Sequence, residues 1–427
     1  MNNTTMQLKI EKIVYPGKSM AIHNGKIVFT DEGLAGESVE IKPLKEKNNY
    51  TEAETVKIIT ASPKRTTPRC NHYKICSPYQ YIDYNEQLNI KEQQIKEMFR
   101  RSLSIELQDF KMKPSPEIWG YRNKLRLHIL WDKTAFLAYH YPQTHNKFIK
   151  IDECFLASKE INNLFNSLLK LINTHGLTSI EEVKTKQTSQ GQEMLLVLFG
   201  KKLESYETLI KNLLPLKETF PLIGIVYIEK DRSNEIILNG KNYIEEKLDN
   251  KILRIGSQSF FQINVDMLKV LLTDMNTKIK SLKYQTMADL YCGIGTFGIL
   301  LSDNTKRIIS LESSSQNTVF LKENLKLNAV VNAKIFQGYS EELIPQVLKE
   351  KIDILIIDPP RKGIGDVMCK NILDNPVKYI FYLSCDPSTL TRDLKMLLEK
   401  YELNSLYGYD FFPQTPHIET LSVLVRK

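Results

Sequence analysis

Apolar positions repeat with two different periods along this chain, and the change of period divides it. Over residues 1–60 they fall in short runs, as in Gln7-Leu-Lys-Ile-Glu-Lys-Ile-Val14 and Gly25-Lys-Ile-Val-Phe29. The turn signals Pro16-Gly17, Asn24-Gly25 and Gly33 to Gly36 separate these runs. Several short strands at such spacing predict a small β-barrel. Pro63 to Pro68, rich in Thr, Lys and Arg, reads as a linker. Between residues 83 and 105 the period lengthens. Tyr84, Leu88, Ile95, Met98, Phe99 and Leu103 recur at spacings of about three and four, which predicts a helix.

Tyr121-Arg-Asn-Lys-Leu-Arg-Leu-His-Ile129 alternates as a strand. Arg122, Lys124, Arg126 and His128 line one face, opposite Leu125, Leu127 and Ile129. Such a basic face can track a phosphate backbone. Taken alone, the segment is read first as a sheet face kept soluble by charge. Residues 135–250 mix strands and helices without a motif. From about residue 255, apolar strands at 286–291, 307–311, 352–357 and 378–384 alternate with helical stretches near 265–280, 295–303, 315–328, 341–349 and 387–400. That alternation predicts a doubly wound α/β domain. The expected fold class is α/β: a small OB-like β-barrel over 1–60, a central α+β domain over 61–254, and a Rossmann-like domain over 255–427.

Composition narrows the class. At 427 residues the chain is long enough for two or three domains. No apolar run is long enough for a membrane helix. The start, Met1-Asn-Asn-Thr-Thr-Met, lacks the basic and apolar pattern of a signal peptide, so a cytoplasmic location and no membrane partner are expected. A net charge of +8 favours an anionic partner, nucleic acid first. Six scattered cysteines suit metal binding or catalysis better than a disulfide framework.

Three segments carry candidate chemistry. Asp289-Leu-Tyr-Cys-Gly293-Ile-Gly295-Thr-Phe-Gly298 follows a strand and opens a helix, as a nucleotide-type cofactor loop does. Glu312 ends the next strand, where a carboxylate can accept from ribose hydroxyls. Asp358-Pro359-Pro360-Arg361 ends another strand at the same sheet edge. In amine methyltransferases an aromatic ends that turn, and Arg361 argues against amine methylation. Cys385, in Phe381-Tyr-Leu-Ser-Cys385-Asp-Pro387, stands where a strand meets a helix start, a setting that favours a thiolate. Cys292 and Cys369 are weaker nucleophile candidates. Glu419 follows His417 in a Pro-rich loop and by position alone reads as a solvated carboxylate.

Together these segments resemble the RNA (uracil-5-)-methyltransferase family, which makes 5-methyluridine in transfer or ribosomal RNA. The likeness covers nearly the whole chain and is most specific in Phe260-Phe-Gln262-Ile-Asn264, Asp289 to Gly298, Asp358 to Arg361, Ser384-Cys385-Asp-Pro387 and Phe412-Pro-Gln-Thr415-Pro-His417-Ile-Glu419. The resemblance implies S-adenosylmethionine as cofactor. It implies Cys385 as nucleophile at uracil C6 and Glu419 as the base that removes the C5 proton. Gln262, Tyr291, Glu312 and Asp358 match cofactor-contacting positions, beside Gly293 and Gly295, and Arg361 would help shape the uracil pocket. Residues 1–60 resemble the RNA-binding TRAM barrel, so the expected partner is RNA, ribosomal before transfer RNA, bound by a monomer with help from Arg122, Lys124 and Arg126. Members often hold a four-iron cluster on C-x5-C-x2-C plus a distant cysteine. Cys70 and Cys76 match the first two ligands and Cys154 the last, but Tyr79 stands at the third; either the cluster is lost, the preferred reading, or a weaker ligand replaces the cysteine. The alternatives are an RNA cytosine-C5 methyltransferase, a nicotinamide-dependent dehydrogenase using the glycine loop alone, and an RNA-binding protein with an inactive methyltransferase domain.

Overall fold

The computed structural model describes residues 5–141, 147–231 and 234–427. The first four residues, on which the reading of no signal peptide partly rests, lie outside them. The chain divides into two compact units. One comprises Met1–Ser115, Cys385–Lys395 and Leu406–Thr420; the other comprises Pro116–Ser384, Met396–Ser405 and Leu421–Lys427.

In the first unit, six strands form one sheet in the order β1-β5-β6-β4-β3-β2. They are β1 (Met6–Lys9), β2 (Lys12–Val14), β3 (Lys18–His23), β4 (Lys26–Thr30), β5 (Ser38–Glu46) and β6 (Tyr50–Thr60). The run expected over 7–14 is two strands, broken at Ile10 and Glu11. Alternation buries Leu8, Ala21, Val28, Val39, Ile41 and Ala53 together with Ile10. A short helical turn, α1 (Tyr73–Cys76), precedes the long helix α2 (Tyr84–Leu103). Asp83 starts α2 by accepting from the amides of Asn85 and Glu86, and Ser104 ends it in the left-handed conformation. A two-residue strand, β7 (Met112–Lys113), follows.

The second unit opens with a seven-stranded sheet. Its strands are β8 (Lys124–Asp132), β9 (Thr134–Tyr141), β10 (Lys147–Lys150), β11 (Ile180–Gln187), β12 (Met194–Gly200), β13 (Leu222–Glu229) and β14 (Asn234–Gly240). Their order is β10-β9-β8-β11-β12-β13-β14. Helices α3 (Lys159–His175), α4 (Glu207–Leu213) and α5 (Leu216–Thr219) are threaded between them. Leu164, Phe165, Leu168 and Ile172 of α3 share a core with Leu125, Leu127 and Ile129 of β8. The hairpin β15 (Tyr243–Leu248) and β16 (Lys251–Gly256) follows.

The remaining elements are α6 (Val265–Lys280), β17 (Thr286–Leu290), α7 (Thr296–Leu300), β18 (Arg307–Glu312), α8 (Ser315–Leu327), β19 (Ala333–Gln337), α9 (Ser340–Leu348), β20 (Ile354–Ile357), α10 (Gly365–Asp374), β21 (Tyr379–Ser384), α11 (Pro387–Leu397), β22 (Tyr401–Tyr409) and β23 (Glu419–Arg426). The sheet order β19-β18-β17-β20-β21-β23-β22 is a doubly wound α/β arrangement, with β17 to β21 parallel. Every residue of β17 and β20 is buried, as a central parallel strand requires. In the first unit, Gly408 and Tyr409 pair in parallel with Met112 and Lys113. Among the described residues no helix is long and apolar enough to cross a membrane.

Candidate active site

The candidate cofactor loop is the turn that leaves β17. Tyr291, Gly293 and Gly295 all have positive φ, at 59°, 57° and 91°. A side chain on Gly295 would be strained by that φ and would place its Cβ 2.6 Å from Leu321 Cδ1. Gly293, by contrast, faces open space, and its amide donates to Glu312 Oε2 at 2.8 Å. Glu312 also takes the Ser314 amide on Oε1 at 2.7 Å, so one carboxylate ties the glycine turn to the end of β18.

Asp289 lies beneath the turn and has no exposed surface. Its Oδ2 accepts from the Gly298 amide at 2.8 Å, and its Oδ1 has no partner among the described residues. Burial, with the nearby charges of Asp358 and Glu312, pushes its carboxyl up to about 8. Burial pushes Asp358 up to about 6. Gly293 is thus bonded to Glu312 and Gly298 to Asp289, and the charges of Asp358 and Glu312 both act on Asp289. Gln262 sits in the loop between β16 and α6. Its carbonyl accepts from Asn123 Nδ2 at 3.3 Å, and the Ile263 carbonyl accepts from the Asn123 amide at 3.1 Å. Lys186 Nζ donates to the carbonyls of Gly256, at the end of β16, and of Ser259 in that loop, each at 2.5 Å. Arg361 is exposed just past the Asp-Pro-Pro turn.

Cys385 and Glu419 both belong to the first unit. Cys385 lies two residues before the start of α11 and is half-buried, whereas Cys292 and Cys369 are buried. Burial, with the charges of Asp289 and Glu312, drives the Cys292 thiol well up, which makes it a poor nucleophile. The first-turn amides of Ser388 and Thr389 are taken by Asp386 Oδ1 at 2.9 and 3.2 Å. The helix start expected to favour a Cys385 thiolate thus already holds a carboxylate.

Glu419 is not solvated; its exposure is 8%. It begins β23 after a loop that folds on itself. Thr415 Oγ1 donates to the Phe412 carbonyl at 2.8 Å and accepts the His417 amide at 3.3 Å. The Phe412 and His417 rings meet edge to face, 5.6 Å apart. A half-buried thiol and a buried carboxylate are the groups that addition and later proton removal at a pyrimidine need.

The thiols of Cys70 and Cys76 both lie against His72 Nδ1, at 3.6 and 3.4 Å, and Gln80 Nε2 donates to Cys70 at 3.3 Å. Tyr79 is fully buried, and its hydroxyl takes Gln94 Nε2 at 3.4 Å. Cys154 packs in the core of the second unit, its amide donating to Asn162 Oδ1 at 2.8 Å. These donors do not fit a four-cysteine cluster, and among the described residues no group of three or more His, Cys, Asp or Glu is arranged to hold a metal ion.

The basic strand starts at Lys124; Arg122 precedes it, bridged to Ala157. Arg126 donates to Glu182 at 2.6 Å and lies over the Phe199 ring, and Lys124 lies over the Phe260 ring. Pairing of β11 with β8 adds Lys184 and Lys186 to that face, opposite Arg126 and Lys124. Burial, then the charges of Lys124 and Arg126, lowers Lys184 to about 8. Sequence reading missed both lysines. Their alternation in Val183-Lys-Thr-Lys186 is visible, but only strand pairing shows that they join another basic row.

Known proteins resemble this chain in sequence and in fold. An uncharacterized RNA methyltransferase of Bacillus cereus (strain ATCC 10987) is 29% identical over 451 residues, covering 99% of this chain and 97% of the relative. Another, of Halalkalibacterium halodurans, is 27% identical and covers 100% and 98%. Among solved structures, the Pyrococcus abyssi tRNA (uracil-54, C5)-methyltransferase in complex with S-adenosyl-L-homocysteine shares the fold, with a TM-score of 0.77 at 22% identity, covering 98% of this chain and 99% of that one. A sequence profile described as tRNA (Uracil-5-)-methyltransferase matches residues 83–427. The chain belongs to the tRNA (uracil-5-)-methyltransferase family, S-adenosylmethionine-dependent enzymes that methylate uracil C5 in RNA.

Proposed function

We propose that this protein methylates C5 of a uridine in structured RNA through a covalent adduct at C6. The observation that carries the reading is that the first unit holds both a half-buried Cys385 and a buried Glu419, in a chain of this family. The thiolate of Cys385 adds to C6, and the electron pair pushed onto C5 makes that carbon nucleophilic. Bound S-adenosylmethionine supplies the electrophilic methyl group. Glu419 then takes the C5 proton, the C5=C6 bond re-forms, and the C6–S bond breaks to return Cys385.

The cofactor fits the residues present. Asp289 Oδ1 is buried and without a partner among the described residues, Gly293 opens onto free space, and Glu312 holds the Gly293 amide. Gln262, Tyr291, Gly295 and Asp358 complete the proposed contact set, and a cationic sulfonium suits a site carrying three carboxyls. Arg361 is proposed to contact the target uracil. No step uses Cys70, Cys76 or Cys154.

Ribosomal RNA is proposed as substrate, on the likeness of residues 1–60 to a TRAM module. Transfer RNA is the second reading, favoured by the whole-chain likeness in fold to a transfer-RNA enzyme. The target base must leave its stack to reach a thiol, so a flipped loop uridine is expected. The test uses RNA carrying 5-fluorouridine, whose fluorine cannot leave as a proton. Wild-type protein should trap as a covalent RNA adduct, and Cys385→Ala should bind cofactor yet trap nothing. Full methylation by Cys385→Ala overturns the reading. Mapping 5-methyluridine in ribosomal and transfer RNA with and without the gene decides between the substrates.

A further inference from the structure

We propose that Gln87 and Lys91 of α2 are positioning residues that hold the Glu419-bearing loop in place for the proton-removal step. The proposal rests on the reading of Glu419 as the C5 base. Gln87 and Gln414 exchange two hydrogen bonds although 327 positions separate them. The Gln414 amide donates to Gln87 Oε1 at 2.9 Å, and Gln87 Nε2 donates to Gln414 Oε1 at 2.9 Å. The Gln414 carbonyl takes the Tyr79 amide at 3.0 Å. One helix turn on, Lys91 Nζ meets Asp410 Oδ1 at 2.6 Å and the Phe412 carbonyl at 3.4 Å. Every point of attachment on the loop lies within the first unit and upstream of Glu419 by ten residues or fewer.

Two features point to a role for these bonds in setting the geometry of the loop. Gln414 has a φ of 68°, a left-handed conformation that a glutamine adopts only when its surroundings impose it. Lys91 and Asp410 have no exposed side-chain surface, and a buried ion pair is often no more stabilising than a well-packed apolar pair. What it supplies is one defined arrangement of the residues it joins. The turn at Gly17 presses on the same loop, where an added Cβ would stand 2.7 Å from Pro416 Cβ. The loop is thus braced on both sides before the chain enters β23 at Glu419.

Displacement of the loop should leave Cys385 addition and methyl transfer intact and slow only C5 deprotonation. The methylated covalent adduct would then accumulate. The experiment uses the full chain with uridine-containing RNA and methyl-labelled S-adenosylmethionine, scoring labelled protein–RNA adduct on a denaturing gel and turnover in parallel. Glu419→Gln is the reference. Gln87→Met keeps side-chain volume, Gln414→Gly accepts the φ while removing the side-chain amide bond, and the double variant Lys91→Met with Asp410→Leu replaces the ion pair by apolar groups. At least two of these three should raise the adduct fraction tenfold or more over wild type, with cofactor affinity within twofold. If Glu419→Gln accumulates adduct and the clamp variants do not, losing burst and turnover in proportion, the clamp is merely structural and the proposal is overturned. If Glu419→Gln accumulates none, the base lies elsewhere and the proposal falls with that reading.

Discussion

Asp289 and Gly298 are joined by a 2.8 Å hydrogen bond that uses one carboxylate oxygen and leaves its equally buried twin unpartnered among the described residues. The folded chain therefore favours a protonated Asp289, raised to about 8. In the unfolded chain the same carboxyl titrates near its ordinary value of about 4. Between those two values the native state binds more protons, so this group makes stability fall as pH rises, with the full cost present above about pH 8. Asp289→Asn keeps the acceptor for Gly298 and cannot ionise. It should raise the melting temperature at pH 8.5 by an amount corresponding to a few kcal/mol, and change little at pH 4. Thermal melts of the cofactor-free protein at both pH values check this, and an equal shift at both would contradict it.

Glu312 accepts from two backbone amides, Gly293 and Ser314, while itself almost fully buried. Truncation strands both donors and frees the glycine turn. Glu312→Ala should weaken S-adenosylmethionine binding by roughly 1–3 kcal/mol, the range for a buried donor left unmet. Glu312→Gln, which keeps an acceptor oxygen, should lose less. Equilibrium dialysis measures both, and unchanged binding in the Ala variant removes Glu312 from the cofactor site.

Arg65 links the N-terminal sheet to the segment after it. Its Nε and Nη2 donate to both oxygens of Glu37 at 2.8 and 2.7 Å, Nη1 reaches Glu32, and the guanidinium lies over the Tyr81 ring. Burial works to raise Glu37, but the bonds from Arg65 and from the Ser62 and Leu34 amides hold it below the ordinary carboxylate range. A depressed acid contributes stability above its unfolded value and loses it as pH falls through the folded one. Arg65→Met removes the partner and leaves a buried carboxylate, which should cost about 3–5 kcal/mol at pH 7. Glu37 then titrates upward, so the deficit relative to wild type should shrink at pH 4. Denaturant unfolding at the two pH values tests it, and a pH-independent loss would place the effect in packing alone.

The basic face on β8 is proposed to bind phosphate. Arg122→Ala, Lys124→Ala and Arg126→Ala combined should weaken RNA binding broadly and reduce the slope of log affinity against log salt by roughly 0.7–0.9 for each phosphate that is no longer neutralised. Lys230 still pairs with Glu182 in that variant, at 2.5 Å, so the buried carboxylate keeps one cation. Titrations at several salt concentrations decide it. An unchanged slope means the face is only solvated.

Much of the α/β domain is written in local pattern. The helices at Tyr84–Leu103 and Val265–Lys280, the strands from Thr286 and Tyr379, and the turn at Gly293 and Gly295 lie where apolar spacing and glycine placed them. Spacing of side chains on a helix or strand is a property of neighbouring residues, so it survives in the sequence. Strand Ala333–Gln337 escaped because no residue in it is fully buried, and at the sheet edge it carries no apolar run. A helix around Cys369 was legible, and it runs from Gly365 to Asp374. The identities of Cys385 and Glu419 come from motif resemblance, but the burial of Glu419 does not, because the loop before it reads as polar and Pro-rich. Pairs such as Gln87 with Gln414 and Lys91 with Asp410 join positions more than 300 residues apart. The protonation of Asp289 likewise depends first on its burial and then on Asp358 and Glu312, brought beside it by parallel strands in register. Charge, burial and hydrogen bonding act through space, with steep dependence on distance and dielectric, so only the folded chain decides them.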